Sequence, residues 1–301
     1  GVINEQTSVV CNHGFSYARG RFMRCHCHGG VLQLHRGIYE SCNAFFGTAY
    51  MKTINKYVKP GYAVDVWSKH VKSFGLGQFM GYDLPIGRKG NIPDSKMYKK
   101  IYPNGGWRST AIVSNAIGQG EVSMTPIQLA NMMATVANEG YYYTPHIIKK
   151  IEGQKIDKKF TTKHVTTIDK KYFKPMISGL FDVYNLGTAY YLKVEGIDIC
   201  GKTGTAENFA KINGVRTQLE DHSIFVAFAP KDNPKIAIAV MVENGGFGAT
   251  IAGPIASLMI EKYLRHKITR TDLETRILNK SLQGEYAKLG GLSEIVKAQM
   301  R

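Results

Sequence analysis

The chain of 301 residues has no apolar run long enough to cross a bilayer as a helix, and no leader of basic then apolar residues opens it. Acidic residues are scarce, 23 against 39 basic ones, which leaves a formal net charge of +16. Such an excess invites a nucleic-acid reading. The lysines, however, are scattered as pairs such as Lys149-Lys150, Lys158-Lys159 and Lys170-Lys171, and no RNA-binding motif accompanies them, so nucleic acid is set aside. An anionic cell-wall polymer or a membrane surface suits the charge better. The absence of internal repeats and sustained heptads excludes solenoids and coiled coils. The length suffices for a substantial core, in one extended domain or a domain with an appendage.

The most informative stretch is Lys202-Thr203-Gly204-Thr205, with the β-rich run from His222 to Pro230 close behind. A cation, two hydroxyls and a glycine at a strand edge suit the grip of a carboxylate. Lys202 supplies charge, Thr203 and Thr205 supply donors, and Gly204 lets a peptide backbone approach. Far upstream, Ser41-Cys42-Asn43 stands at the entrance of a segment whose spacing predicts an amphipathic helix burying Phe46, Tyr50 and Ile54. Read alone, Ser41 is an ordinary helix cap and Lys-Thr-Gly an ordinary strand start. Together, Ser-x-Asn and Lys-Thr-Gly belong to a serine acyl-transferase signature.

The remaining pattern is mixed α and β. Residues 1 to 40 read as short strands and turns, and residues 60 to 125 as loop-rich. Thr125-Pro126 opens a helix that runs to Glu139 and stops at Gly140, with Met132 and Met133 as core filler. Tyr141 to Ile151 reads as a strand and residues 172 to 189 as a helix. Ile224 to Ala229 and Ile236 to Val242 have the character of neighbouring buried strands paired as a hairpin. Ile251 to Leu264 is expected to close the domain as a helix offering Ile255, Met259, Ile260 and Tyr263 to that sheet. Residues 266 to 301, broken by Gly290-Gly291, read as a charged helical or flexible extension after a domain of residues 1 to 265. Gly245-Gly246 with Gly248 read as a plain tight turn or as a turn that shapes the cleft, and His222 as surface decoration.

Four of the five cysteines, Cys11, Cys25, Cys27 and Cys42, crowd the first part of the chain together with His13, His26, His28 and His35. Cys25-x-x-His28 has ligand spacing, which points to a structural zinc held by Cys11, Cys25, His28 and Cys42, with Cys27 or His26 as substitutes. A disulfide such as Cys11 to Cys25, or free buried thiols, are the competing readings. A zinc here would anchor Ser41 and Asn43 through Cys42, and four protein ligands leave no open position for catalysis.

Further segments carry a family likeness. They are Gly81-Tyr82-Asp83-Leu84-Pro85 with Gly90-Asn91-Ile92-Pro93, Ala116-Ile117-Gly118-Gln119-Gly120 with Thr125-Pro126-Ile127-Gln128-Leu129-Ala130, and His222 to Pro230. In this order, and over roughly the first 265 residues, the chain resembles the transpeptidase domain of class B penicillin-binding proteins, most closely the cell-elongation type, penicillin-binding protein 2. The resemblance implies an antiparallel sheet flanked by helices, as in the penicillin-binding protein and β-lactamase-like fold. It also implies D,D-transpeptidation of peptidoglycan stem peptides ending in D-Ala-D-Ala through a serine ester, without a catalytic cofactor. By the same likeness, Ser41, Asn43 and Lys202 are catalytic, and Thr203, Gly204 and Thr205 bind substrate. The implied partners are stem peptides, β-lactam antibiotics and a membrane glycan polymerase, at the periplasmic face of the inner membrane. One departure stands out: the family's nucleophile lies in Ser-x-x-Lys upstream of Ser-x-Asn, and no serine of this chain has lysine three residues on. Thr53-Ile54-Asn55-Lys56 imitates the spacing with threonine and is assigned to a helix surface. The expectation is therefore an inactive fragment of the enzyme; the alternative is a non-catalytic, zinc-stabilised module that binds peptidoglycan or a partner protein.

Overall fold

The computed structural model describes residues 2–84, 87–212 and 214–287, so Pro85 and the Gly290-Gly291 break lie outside the described residues. Four short strands come first, β1 (Val9–Cys11), β2 (Gly14–Ala18), β3 (Arg21–Arg24) and β4 (Gly30–Leu32), with β1 paired antiparallel to β4 and β2 to β3. They lead into α1 (Leu34–Tyr39) and α2 (Asn43–Asn55). Next come α3 (Pro60–Lys72), α4 (Ser95–Ile101) and a 3-10 helix over Ser109–Ile117. The region read as loop-rich thus contains a 13-residue helix, α3, opened by Pro60 at its first turn. Its apolar residues, Ala63 and Val64 among them, form a narrow stripe on an otherwise polar segment.

α5 (Pro126–Ala137) begins where Thr125-Pro126 places it, with a capping box in which Thr125 Oγ1 accepts from the Gln128 N–H and Gln128 Oε1 accepts from the Thr125 N–H. After it come β5 (Tyr141–Tyr143), α6 (Lys158–Thr161), β6 (Lys163–Val165) and α7 (Phe173–Asn185), β5 pairing antiparallel with β6. The strand expected as far as Ile151 stops at Tyr143. Ile147, Ile148 and Ile151 are exposed, and the Asp83 carboxylate takes the Ile147 and Ile148 N–H groups that a ladder would otherwise use.

The central sheet is built from β7 (Cys200–Ala206), β10 (His222–Ala229) and β11 (Ile236–Val242), in the order β11-β10-β7 and antiparallel throughout. A hairpin of β8 (Phe209–Ile212) and β9 (Val215–Gln218) projects between β7 and β10. Helix α8 (Ala252–Arg265) and the short α9 (Thr271–Leu278) and α10 (Gln283–Ala287) complete the described chain. Helices α5, α7 and α8 cover the sheet, and the main core gathers Met133, Leu180, Val183, Phe225, Phe228 and Ile260 around it. The mixed α/β class and the helix-flanked antiparallel sheet are as the sequence implies.

Two packing expectations fail at the level of single residues. On α2 it is Phe45 that is buried, and Phe46 is only partly so, because the helix starts at Asn43 and its inner face follows Ala44, Phe45, Gly47, Tyr50 and Ile54. On α8, Ile260 is buried as expected, but Met259 and Tyr263 are exposed, since the inner face follows Ala252, Ala256 and Ile260 with Gly253, Ser257 and Glu261 beside them. No helix among the described residues is long and apolar enough to cross a membrane.

Candidate active site

β7 is an edge strand. Its one partner strand among the described residues is β10, with Thr203 opposite Phe225 and Thr205 opposite Ser223. The Thr203 carbonyl accepts from Lys202 Nζ at 2.9 Å, and the Thr205 carbonyl from Gln119 Nε2 at 3.4 Å. These bonds come from outside the sheet, so the backbone polar groups of Thr203 and Thr205 face away from β10, toward a slot. Gln119 arrives there because Gly118, in a left-handed conformation, ends the 3-10 helix. The glycines after β11 make more than a tight turn. A Cβ on Gly248 would stand 2.3 Å from the Gly204 carbonyl and 2.4 Å from that of Ile224, so only glycine lets this turn lie on the β7-β10 pair. His222 is likewise more than decoration, since its Nδ1 accepts the Asn244 N–H at 3.2 Å and fixes the same turn.

Ser41 forms the opposite wall. It lies two residues before α2 with φ of 57°, a left-handed conformation that non-glycine residues adopt at a cost of order 1–3 kcal/mol and that clusters at functional sites. Cys42 takes the cap position, its sulfur accepting the Phe45 N–H at 3.4 Å, so the capping role open to Ser41 belongs to its neighbour. The Ser41 hydroxyl is thereby free to meet Lys202, and Nζ to Oγ is 2.6 Å. Lys202 is half-buried, and desolvation of its amine lowers the pKa from 10.5 to about 8. Asn43 is held beside Ser41 through Nδ2 to the Arg24 carbonyl at 2.8 Å and its N–H to Cys25 Sγ at 3.2 Å. Strand alternation separates the Lys202 side chain from those of Thr203 and Thr205. The Thr203 hydroxyl meets that of Thr188 at 3.0 Å, and Thr205 Oγ1 accepts the Gly248 N–H at 3.3 Å. Gln119 and Thr188 were not singled out in the sequence; only the Ala-Ile-Gly-Gln-Gly segment marked the former.

Behind Ser41 and Asn43 lies a thiol cluster. The sulfurs of Cys11, Cys25, Cys27 and Cys42 all stand within 4.8 Å of one another, with Cys25 to Cys27 at 3.3 Å and Cys27 to Cys11 at 3.4 Å. All four residues are buried, and none of the chain's cysteines is in a disulfide. The Cys11 to Cys25 disulfide is thus absent. His28, expected as a ligand, stands outside the cluster: its side chain is 87% exposed and its Nδ1 lies 3.6 Å from Glu40. Along this segment burial alternates residue by residue, so Cys25 and Cys27 share the inner face while His26 and His28 point outward. The loop is clamped by Arg36, which donates to the Gly29 and Val31 carbonyls and to Glu40. Hydrogen bonding from Cys42 pulls the Cys25 thiol down to about 4, whereas burial pushes Cys27 up to about 12 and the Cys25 contact raises Cys42. For four sulfurs at zinc–thiolate bond lengths of about 2.3 Å, a tetrahedron needs edges of about 3.8 Å, so the donor set and its spacing fit a closed metal site.

The Transpeptidase family, described as the penicillin binding protein transpeptidase domain, matches residues 1–261. The peptidoglycan D,D-transpeptidase MrdA of Acinetobacter baumannii is 31% identical over 271 residues, a span covering 85% of this chain and 37% of that protein. The crystal structure of Pseudomonas aeruginosa PBP2 in complex with WCK 5153 superposes with a TM-score of 0.72 at 27% identity, covering 90% of this chain and 57% of that one. A chain from a peptidoglycan synthase complex that coordinates polymerization and crosslinking superposes with a TM-score of 0.73 at 26% identity, covering 89% and 44%. The chain thus spans little more than a third of the length of that curated relative. With the lysine-bearing edge strand and Ser-x-Asn meeting across one slot, and with that match running through both, the chain belongs to the penicillin-binding protein transpeptidase family.

Proposed function

We propose that this chain forms the substrate-gripping part of a peptidoglycan D,D-transpeptidase that takes donor stem peptides ending in D-Ala-D-Ala and is acylated by β-lactams. The 2.6 Å contact between Lys202 Nζ and Ser41 Oγ across a part-buried slot carries the reading. A lysine with its pKa near 8 exchanges a proton readily at neutral pH, and Ser41 passes that proton between an attacking hydroxyl and the leaving D-Ala amine. The Thr205 N–H, on the free edge of β7, is one oxyanion donor, and Thr203 and Thr205 draw in the terminal carboxylate. Asn43 orients the donor's acyl chain. The reaction also needs an attacking serine of the Ser-x-x-Lys type, a motif these 301 residues do not contain. The acceptor is an amine of a neighbouring strand. The working place is the outer face of the cytoplasmic membrane, beside a glycan polymerase.

Fluorescent penicillin tests this. A polypeptide that joins the Ser-x-x-Lys segment to this chain is expected to form a covalent adduct, lost in Lys202→Met and strongly slowed in Ser41→Ala. No adduct at all would reject the transpeptidase and leave the non-catalytic binding module.

Cys11, Cys25, Cys27 and Cys42 hold one structural zinc, whose role is to fix the backbone on both sides of Ser41. Elemental analysis of protein purified without chelator is expected to give stoichiometric zinc, much reduced by Cys27→Ser and unaffected by His28→Ala. Metal-free wild-type protein would reject the site.

A further inference from the structure

The segment that carries the thiols also reaches across the slot. Between the inward-facing Cys25 and Cys27, the His26 ring points outward and meets the Phe247 ring edge-on, with centroids 6.0 Å apart and planes at 82°. The two rings come from opposite walls. His26 sits two residues after Arg24, whose carbonyl holds Asn43, and directly after Cys25, whose sulfur holds the Asn43 N–H. Phe247 directly precedes Gly248, which lies against Gly204 and Ile224. Its own carbonyl accepts from Ser223 Oγ at 2.9 Å and from Thr250 Oγ1 at 2.7 Å. Both backbones are therefore fixed, whereas both side chains are open to solvent, Phe247 being 57% exposed. Neither ring belongs to the core, so the pair contributes little to the fold that either wall could not do without.

Its position gives it a use. The Phe247 turn stands beside Gly204 and Thr205, two to three residues along β7 from Lys202. At about 3.3 Å per residue that is roughly 7–10 Å. A dipeptide anchored at Lys202 ends before the rings, and a longer peptide laid along the free edge of β7 continues beneath them. We infer that His26 and Phe247 form an aromatic bridge over the outer end of the groove, which grips the donor peptide beyond its two terminal residues and so sets which stem peptides are accepted. This inference rests on the proposed peptide-binding reading of the slot.

Non-covalent binding of two ligands separates the possibilities. Acetyl-D-Ala-D-Ala stays within the slot; diacetyl-L-Lys-D-Ala-D-Ala reaches the bridge. His26→Ala and Phe247→Ala, both at exposed side chains, are each expected to weaken the longer ligand by roughly three- to tenfold, the range of one aromatic contact, and to leave the shorter one within about twofold. The double variant is expected to lose little more than either single one, because each truncation already breaks the bridge. Equal losses on both ligands, no loss on the longer one, or fully additive losses would overturn the bridge while leaving the slot intact. Failure of the wild type to bind either ligand would overturn the slot and the bridge together. Independently of any ligand, the His26 ring-proton signals are expected to move in Phe247→Ala and to stay put in Phe209→Ala. Unmoved signals in Phe247→Ala would overturn the contact itself.

Discussion

Lys202 is a half-buried cation bonded to a hydroxyl and a carbonyl. Lowering its pKa from 10.5 to about 8 corresponds to about 3 kcal/mol of stability withheld while the amine is charged. The sign follows from proton counts. Below about pH 8 both folded and unfolded chains hold the proton and the cost is fully present; between about 8 and 10.5 the unfolded chain binds more protons, so stability rises with pH. Lys202→Met is therefore expected to be more stable than the wild type at pH 7, with the gap closing toward pH 10, as read from urea midpoints of both proteins. A gap that stays constant with pH would show that burial does not tune this amine. The meeting of Ser41 with Lys202 was legible because both residues sit in short motifs whose chemistry requires proximity. The fourth thiol was misassigned because ligand spacing along the chain outweighed alternation. In an extended segment residues two apart share a face, which selects Cys27 beside Cys25 and turns His28 to solvent.

Among the elements, those with explicit start signals were read well. Thr125-Pro126 with Gln128 specifies α5 through a reciprocal cap, and the β-branched runs specify the β10-β11 hairpin. Where side-chain bonds from a distant residue decide, the sequence gives no local sign, as when Asp83 takes the backbone donors of Ile147 and Ile148 and ends the strand early. The same holds for the docking of α9. Glu261 on α8 is wholly buried and accepts from the Thr269 N–H at 2.9 Å and from Arg270 Nε at 2.9 Å, while Arg270 Nη1 reaches the Leu192 carbonyl at 3.2 Å. Burial pushes the Glu261 carboxyl up, but the Thr269 and Arg270 bonds outweigh it and hold the group below its ordinary 4.5. Arg270→Met removes the nearer of the carboxylate's two arginines, leaving Arg265 at 3.7 Å, and is expected to cost about 3 kcal/mol at neutral pH. A depressed carboxyl contributes stability above its unfolded value and loses it as pH falls through the folded one, so the deficit should shrink in acid. Thermal unfolding at pH 7 and pH 4 checks both points, and equal deficits at the two values would rule the buried pair out as the cause.

At the scale of the whole molecule, the sheet has two open margins with opposite characters. β7 faces the slot. On the far side, β11 reads Ile-Ala-Ile-Ala-Val-Met-Val, uncharged and proline-free, and its outer edge pairs with no strand among the described residues. Such an edge is a template for another strand. The chain on its own is expected to self-associate with rising concentration despite a charge of +16, and Met241→Lys, at a side chain 40% exposed, is expected to suppress this in sedimentation velocity. Association unchanged by the lysine would move the contact elsewhere. The sequence showed β11 as a strand but not as a margin, because pairing partners are set by topology and not by composition.

Cys42 separates Ser41 from Asn43 and is itself one of the four clustered sulfurs. It follows that mercury, cadmium or a strong oxidant need not enter the peptide groove to disable it. Anything that captures these sulfurs pulls on the backbone beside the serine's left-handed turn and leaves the path of the peptide itself untouched.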